Sequence, residues 1–340
     1  MGERFEIAED DDGRRVDRVL RKLLPTIPLG AIYRLLRKGA VRLDGKKISG
    51  KTRVRSGEEL TLPARLVGRQ SAAPGGEGSP SVAAGPESID PLILAETEDY
   101  LALNKPKGRL VHGEGGLDAE VRRYLADKIA PSLSFQSGPV HRLDRNTSGV
   151  LVFSKSLAGA QAMTALLHDA EKWYLGVLDG RLAEAEEWTE PLARSQSTRR
   201  TAVSTEGKEA HTSVIPIAWS PSERTLALFA LRTGRTHQIR AHAAAHGHPL
   251  AGDRKYGGSR RRGGYLLHAW ELVFADHGAQ APRDRARGNR SDRAHELLHH
   301  KCLSAPPPLG ELAELIPAPD LAGTVHRHRH CTEPTAFATL

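Results

Sequence analysis

Apolar residues at Val16, Val19, Leu20, Leu23 and Leu24 recur at three- and four-residue intervals, which predicts a helix with one apolar face. Leu29, Ile32, Tyr33 and Leu36 repeat the pattern in a second helix, which Gly39 can terminate. Val41-Arg42-Leu43, an Asp44-Gly45 turn and Ile48 then predict a hairpin, and Val54, Ser56-Gly57, Leu60 and Leu62 read as turn and strand. These elements form a module over residues 1–66. Residues 67–89 are rich in Gly, Pro, Ser and Ala and hold no aromatic, so they bury too little apolar surface to offset the entropy of ordering. They are expected to be a flexible tether that lets the module search independently. Beyond them, Leu92-Ile93-Leu94, Tyr100 to Leu103, Val150 to Phe153, Trp173 to Val177 and Leu226 to Phe229 read as strands, with alternation along Thr212 to Trp219. Residues 119–129 and 157–167 read as helices. The mixture makes the chain α+β.

Length and charge refine this picture. A chain of 340 residues exceeds the usual single-domain size, and at 39% hydrophobic it can build a core. Its 49 basic against 41 acidic residues favour a polyanionic partner. The excess is local. From Arg34 to Arg55 stand nine basic residues against one acid, Asp44. Arg34, Arg37 and Lys38 lie off the apolar stripe of the second helix; with Arg42, Lys46, Lys47 and Lys51 they can grip phosphates without reading sequence. The alternative is an ordinary solvated face. Two cysteines, Cys302 and Cys331, are too few for a disulfide framework and point to a reducing compartment. Neither an apolar signal region nor a bilayer-length apolar run is present, so a cytoplasmic protein without a membrane partner is expected.

The strongest candidate chemistry is His141-Arg142-Leu143-Asp144-Arg145-Asn146-Thr147-Ser148-Gly149. It sets one carboxylate, Asp144, between two arginines in a turn ahead of an apolar strand. Flanking cations keep such a carboxylate ionised, and a rigid strand fixes its position. On local chemistry alone the cluster reads more readily as a solvated turn.

The nine-residue run resembles the active-site motif of the RluA-type pseudouridine synthases. Two further segments resemble that family in the expected order. One is Glu98-Asp99-Tyr100-Leu101-Ala102-Leu103-Asn104-Lys105-Pro106-Lys107-Gly108. The other is Thr233-Gly234-Arg235-Thr236-His237-Gln238-Ile239-Arg240, continued by Gly247-His248-Pro249 and Gly252-Asp253 to Tyr256-Gly257. The resemblance implies a catalytic domain over residues 90–320, with a mixed, largely antiparallel sheet around a central catalytic cleft. It implies isomerisation of uridine in RNA without a cofactor or metal. Asp144 would be the nucleophile or electrostatic partner, Arg240 its ion-pair partner, and Tyr174 the ring against the target base, which assists proton removal. Arg142 would fill the space left by the flipped base. His141 belongs to the same substrate-facing set, with no proton-transfer role, and Lys105 with Pro106 shapes the cleft floor. The basic module resembles the alpha-L RNA-binding module through Ile32-Tyr33-Arg34-Leu35-Leu36-Arg37-Lys38-Gly39. With Gly108 to Gly113 it is most similar to the RluC-type synthases of large-subunit ribosomal RNA. A monomer is expected.

Other readings compete. Gly45-Lys46-Lys47-Ile48-Ser49-Gly50-Lys51-Thr52 fits the phosphate-loop pattern, but a hairpin precedes it and no helix is predicted to follow. His295-Glu296-Leu297-Leu298-His299 matches a zinc-protease signature, with His326, His328, His330 and Cys331 as further ligands. That signature needs a helix, whereas a strand is expected ahead of Ser304, where residues four apart are separated by about 13 Å. An RNA-binding protein without catalysis is the other alternative. Residues 277–293 read as a basic insertion and 321–340 as a tail.

Overall fold

The computed structural model describes residues 2–67, 88–113, 115–129, 132–274 and 302–315, together with Arg327. The tether (bar its ends), the basic insertion, the zinc-protease signature and the tail other than Arg327 lie outside the described residues.

The N-terminal module contains β1 (Gly2–Glu6), α1 (Val16–Leu23), α2 (Leu29–Arg37), β2 (Arg42–Leu43), β3 (Lys46–Lys47) and β4 (Glu59–Pro63), its sheet ordered β1-β4-β2-β3. The predicted apolar stripes meet over this sheet: Val16, Val19 and Leu20 of α1, Ile32 and Leu36 of α2, and Leu43, Leu60 and Leu62 of the strands form one buried cluster. Asp44 and Gly45 both take positive φ, 47° and 72°, the turn that matches a two-residue hairpin. Strand β1 was not anticipated, because in Gly-Glu-Arg-Phe-Glu only Phe5 packs on the core. All seven candidate RNA-binding cations, from Arg34 to Lys51, are exposed.

The module docks on the rest of the chain. Asp11, fully buried, accepts hydrogen bonds from Ser132 Oγ (3.2 Å), Leu133 N (2.8 Å) and Ser134 Oγ. Asp10 accepts one from Leu157 N at 2.7 Å. The module thus touches the rest of the chain through buried and half-buried polar groups, contacts that hydrophobic periodicity cannot reveal.

In the second domain the strands are β5 (Ile93–Glu96), β6 (Tyr100–Lys105), β7 (Gly138–Pro139), β8 (Ser148–Ser154), β9 (Glu171–Asp179), β10 (Glu186–Trp188), β11 (Leu192–Arg194), β12 (Thr201–Val203), β13 (Thr212–Ser220), β14 (Arg224–Leu231), β15 (Leu267–Val273) and β16 (Cys302–Ser304). Ten of these form one sheet with the path β10-β13-β14-β9-β15-β8-β6-β5, to which β16 and β7 add at β15 and β8. Every pairing is antiparallel except β15 with β8. Strands β11 and β12 form a separate hairpin.

The central strands are apolar on both faces because both are covered. Val150 and Val152 pack toward the helix Leu157–Asp169, whereas Leu151 and Phe153 pack with Leu117, Val121 and Leu125 of the helix Leu117–Leu125. The latter helix spans 117–125 rather than 119–129. Leu92, expected in a strand, lies in the short 3-10 helix Asp90–Leu92. Cys302 is disulfide-bonded, which the reading of two cysteines as too few for a disulfide framework in a reducing compartment did not anticipate. Among the described residues no helix is long and apolar enough to cross a membrane.

Candidate active site

The parallel β15–β8 junction brings the candidate turn to the centre of the sheet. Gly149 pairs with Ala269 at φ 108°, and a Cβ there would lie 2.1 Å from the Ala269 carbonyl oxygen. Only glycine permits that approach. The turn before it is held from beneath by Lys105, which is fully buried. Its ammonium donates to the carbonyls of Thr147 (2.7 Å), Arg145 (2.9 Å) and Pro106 (3.1 Å). Burial pushes its pKa down to about 8, against the pull of the Asp144 charge. Lys105 thus lies beneath the turn, which it pins, and lines neither of the cavities beside Asp144.

Asp144 does not take its cation from its sequence neighbours. Arg145 turns back to donate from Nε to Gly108 O at 2.9 Å, and Arg142 is exposed on the rim. The partner is Arg240, 96 residues away, whose Nη1 donates to Asp144 Oδ2 at 3.1 Å. Arg240 sits on the helix Gln238–Ala245 and is 7% exposed. Its other nitrogens form a two-point bridge to Asp253, Nε to Oδ2 at 2.6 Å and Nη2 to Oδ1 at 2.9 Å. The rings of Tyr256 and Tyr265 lie 4.8 and 4.4 Å from its guanidinium carbon. Burial opposes the charge on Arg240, but the Asp253 carboxylate, with Asp144 adding to it, raises its pKa above even the usual arginine value. A planar, permanently charged fork suits a bridge between two carboxylates.

His237 approaches the same oxygen, Nε2 to Asp144 Oδ2 at 3.6 Å, from a left-handed backbone with φ 57°. The Tyr256 hydroxyl accepts from Thr201 N (2.9 Å) and pairs with His237 Nδ1 (2.8 Å); in the tautomer where the hydroxyl donates to Nδ1, Nε2–H faces the carboxylate. Burial, with Arg240 and Lys255, lowers the His237 pKa to about 4 despite the Asp144 charge, so the ring is neutral near pH 7. The loop is tied by Gln238, whose side chain bonds Thr233 Oγ1, Arg235 N, His211 O and Thr212 Oγ1.

Asp144 stands between two adjoining cavities. The first, about 110 Å³, is walled by Tyr174, Leu231 and Leu267. The second, about 370 Å³, is walled by Leu110, Asn146 and Tyr265. Arg142, Leu143, His237 and Arg240 line both. Burial first, and then the Asp144 charge, raises the Tyr174 phenol well above its usual pKa, so it remains protonated. In that form it can donate a proton or offer a ring face. His141 is also turned inward. Its Nε2 accepts Val152 N–H at 3.1 Å, and burial and Lys172 lower its pKa to about 4. From that position the ring supports strand β8, and it lines neither cavity.

The structure therefore gathers Asp144, Tyr174, Arg240 and Arg142 around one cleft, and separates Lys105 and His141 from it. Asp253, Tyr256 and Tyr265 were not identified from sequence. Gly252-Asp253 and Tyr256-Gly257 lay within the quoted third motif, but nothing local marks a carboxylate as the anchor of a distant arginine.

Comparisons with known proteins place this geometry. Residues 99–245 match the family described as RNA pseudouridylate synthase, and residues 14–60 match the S4 domain. The ribosomal large subunit pseudouridine synthase C of Salmonella typhi is 36% identical over 324 residues, spanning 87% of this chain and 96% of that protein. Its namesake from Vibrio cholerae serotype O1 is 33% identical over 284 residues, spanning 79% and 88%. The solved structure titled human RNA pseudouridylate synthase domain containing 1 has a TM-score of 0.51 at 22% identity, covers 72% of this chain and 97% of that one, and shows a shared fold.

Proposed function

The chain belongs to the RNA pseudouridylate synthase family, and from that premise we propose that it isomerises uridine in large-subunit ribosomal RNA, with Asp144 at the centre of the chemistry. The observation that carries the site assignment is the Arg240–Asp144 pair at 3.1 Å, opening onto a cavity walled by Tyr174. The target RNA is the one in the names of the relatives.

The reaction breaks the bond from the ribose anomeric carbon to N1 of uracil and makes one from that carbon to C5. The C5 proton leaves and N1 gains one, so no redox equivalent is consumed and no cofactor is needed. Asp144, as nucleophile or electrostatic partner, faces the sugar and base. Arg240 aims it: Nε and Nη2 are engaged with Asp253, and Nη1 reaches Asp144. Preorganised charge of this kind acts without reorganisation during reaction. The small cavity holds the detached uracil under the Tyr174 ring, so the base stays near C1′ while it turns. Arg142, exposed on the rim of both cavities, is placed to occupy the stack position of the flipped nucleotide. The exposed cations Arg34, Arg37, Lys38, Arg42, Lys46, Lys47 and Lys51 of the S4 domain hold phosphates at a distance from the chemistry. On this reading the chain works as a monomer in the cytoplasm.

Asp144→Asn tests the assignment. Release of label from C5 of uracil in ribosomal RNA should cease while RNA affinity is kept. Undiminished release by the variant would overturn the mechanism. Absence of release by the wild-type protein would leave an RNA-binding protein without catalysis. Mapping pseudouridines in large-subunit ribosomal RNA with and without this protein identifies the target.

A further inference from the structure

The second cavity is about three times the volume of the one under Tyr174, and the isomerisation itself does not need it. Its lining is mixed in a particular way. Leu110, a large apolar side chain left 41% exposed, forms one wall together with Val111 and Leu143. Arg142, Arg145 and Lys255 stand around it. Asn146 enters it half-buried, and its side-chain amide makes no hydrogen bond to the described residues. An unused amide with both donor and acceptor capacity, beside an apolar wall and a cationic rim, complements one kind of ligand. That ligand is a heterocyclic base, with a flat apolar face and a polar edge, carried on a phosphodiester.

We propose that this cavity receives the base of the nucleotide adjacent to the target uridine on the same RNA strand, with Leu110 against its face and Asn146 on its edge. The proposal rests on the uridine-isomerising reading above. The two cavities meet at Asp144, so a ribose placed there directs its own base into the first. The next nucleotide, one phosphodiester away, then enters the second. Arg142 lines both cavities and Arg145 the second, so cations stand along the path of the intervening phosphate. Bases in single-stranded or opened RNA are recognised in this way, by a face contact and an edge contact together. The site would therefore add sequence preference next to the uridine. The S4 domain's cations, which meet phosphates, do not add it.

The test uses an RNA fragment containing the mapped uridine, with each of its two neighbours in turn replaced by an abasic ribose. The full-length protein is compared with Leu110→Ala, Asn146→Ala and the double variant, by kcat/KM for C5 label release. For the wild type, loss of the base at one neighbour, and not the other, should lower kcat/KM roughly tenfold, as expected for one hydrogen bond and one apolar contact. The double variant should show a like fall on the intact RNA and no further fall on that abasic RNA. Indifference of the wild type to both abasic replacements would overturn the proposal. So would losses that multiply in the double variant at either neighbour, since the variant side chains would then act elsewhere. Either result leaves wild-type isomerisation intact. Failure of the wild type to release label from any RNA would instead remove the underlying functional reading, and the pocket assignment with it.

Discussion

Replacing Asp253 by asparagine isolates what the anchor of Arg240 contributes. The substitution keeps the shape but removes a charge, and turns one of two acceptor oxygens into a donor facing guanidinium N–H groups. Both partners are buried, with Asp253 2% and Arg240 7% exposed. Removing one member of a buried ion pair costs about 3–5 kcal/mol. Asp144 remains as a second anion at 3.1 Å, and the rings of Tyr256 and Tyr265 still flank the guanidinium, which favours the lower end. At roughly 2–4 °C per kcal/mol, Tm should fall by about 6–12 °C. The effect on chemistry is separate. With one of its two Asp253 bonds lost, the fork tilts and Asp144 loses its aim; a displacement of about 1 Å can lower a rate by roughly 100-fold. Single-turnover isomerisation at a temperature where the variant is folded reads the rate, and filter binding reads RNA affinity. The rate should fall by about 10–100-fold, with affinity within twofold, because Asp253 is inaccessible to RNA. A folded Asp253→Asn variant with a wild-type rate would refute the reasoning, since Arg240 would then need no anchor to position Asp144.

Other consequences follow from the same contacts. Lys105→Met leaves three carbonyls of the Asp144 turn without their donor, a loss only partly offset by relief of the buried charge; kcat should fall at least tenfold with RNA affinity unchanged, and the reverse pattern would restore a substrate contact for Lys105. His141 has its pKa lowered to about 4 from 6.5, so the folded state resists protonation that the unfolded chain accepts. Its contribution is present above pH 6.5 and lost as pH falls through 4. His141→Gln, which can still accept Val152 N–H, should flatten the decline of Tm across that window, and an unchanged slope would count against the assignment. Asp11→Ala removes the acceptor of three hydrogen bonds between the module and the catalytic domain. The radius of gyration measured by X-ray scattering should rise, and an identical scattering curve would show that other contacts hold the module.

Local pattern was enough for the elements and for most of the chemistry-bearing positions. The apolar runs of β8 and β14, the alternation along β13 and the three- and four-residue spacing of α1 and α2 are properties of neighbouring residues, so they are legible without a fold. The same holds for the Asp44-Gly45 turn, whose backbone demands are met by its own two residues. The asparagine-lysine-proline, aspartate and arginine segments were each visible as short motifs, and their order pointed to one family. Partnership was not legible. In sequence, Asp144 has Arg142 and Arg145 beside it, yet in space one faces the rim and the other Gly108. Its cation comes from a helix 96 residues away, and that cation is held by Asp253, which shares no periodicity with either. Lys105 reads as a cleft residue by proximity to the motif, and only its three carbonyl contacts place it beneath the floor. The module's docking through Asp10 and Asp11 has the same character. Hydrophobic spacing is repeated along the chain and so encodes which face is buried. A single charge has no such repetition, and its role is decided by which other single charge the packed sheet brings within about 3 Å of it.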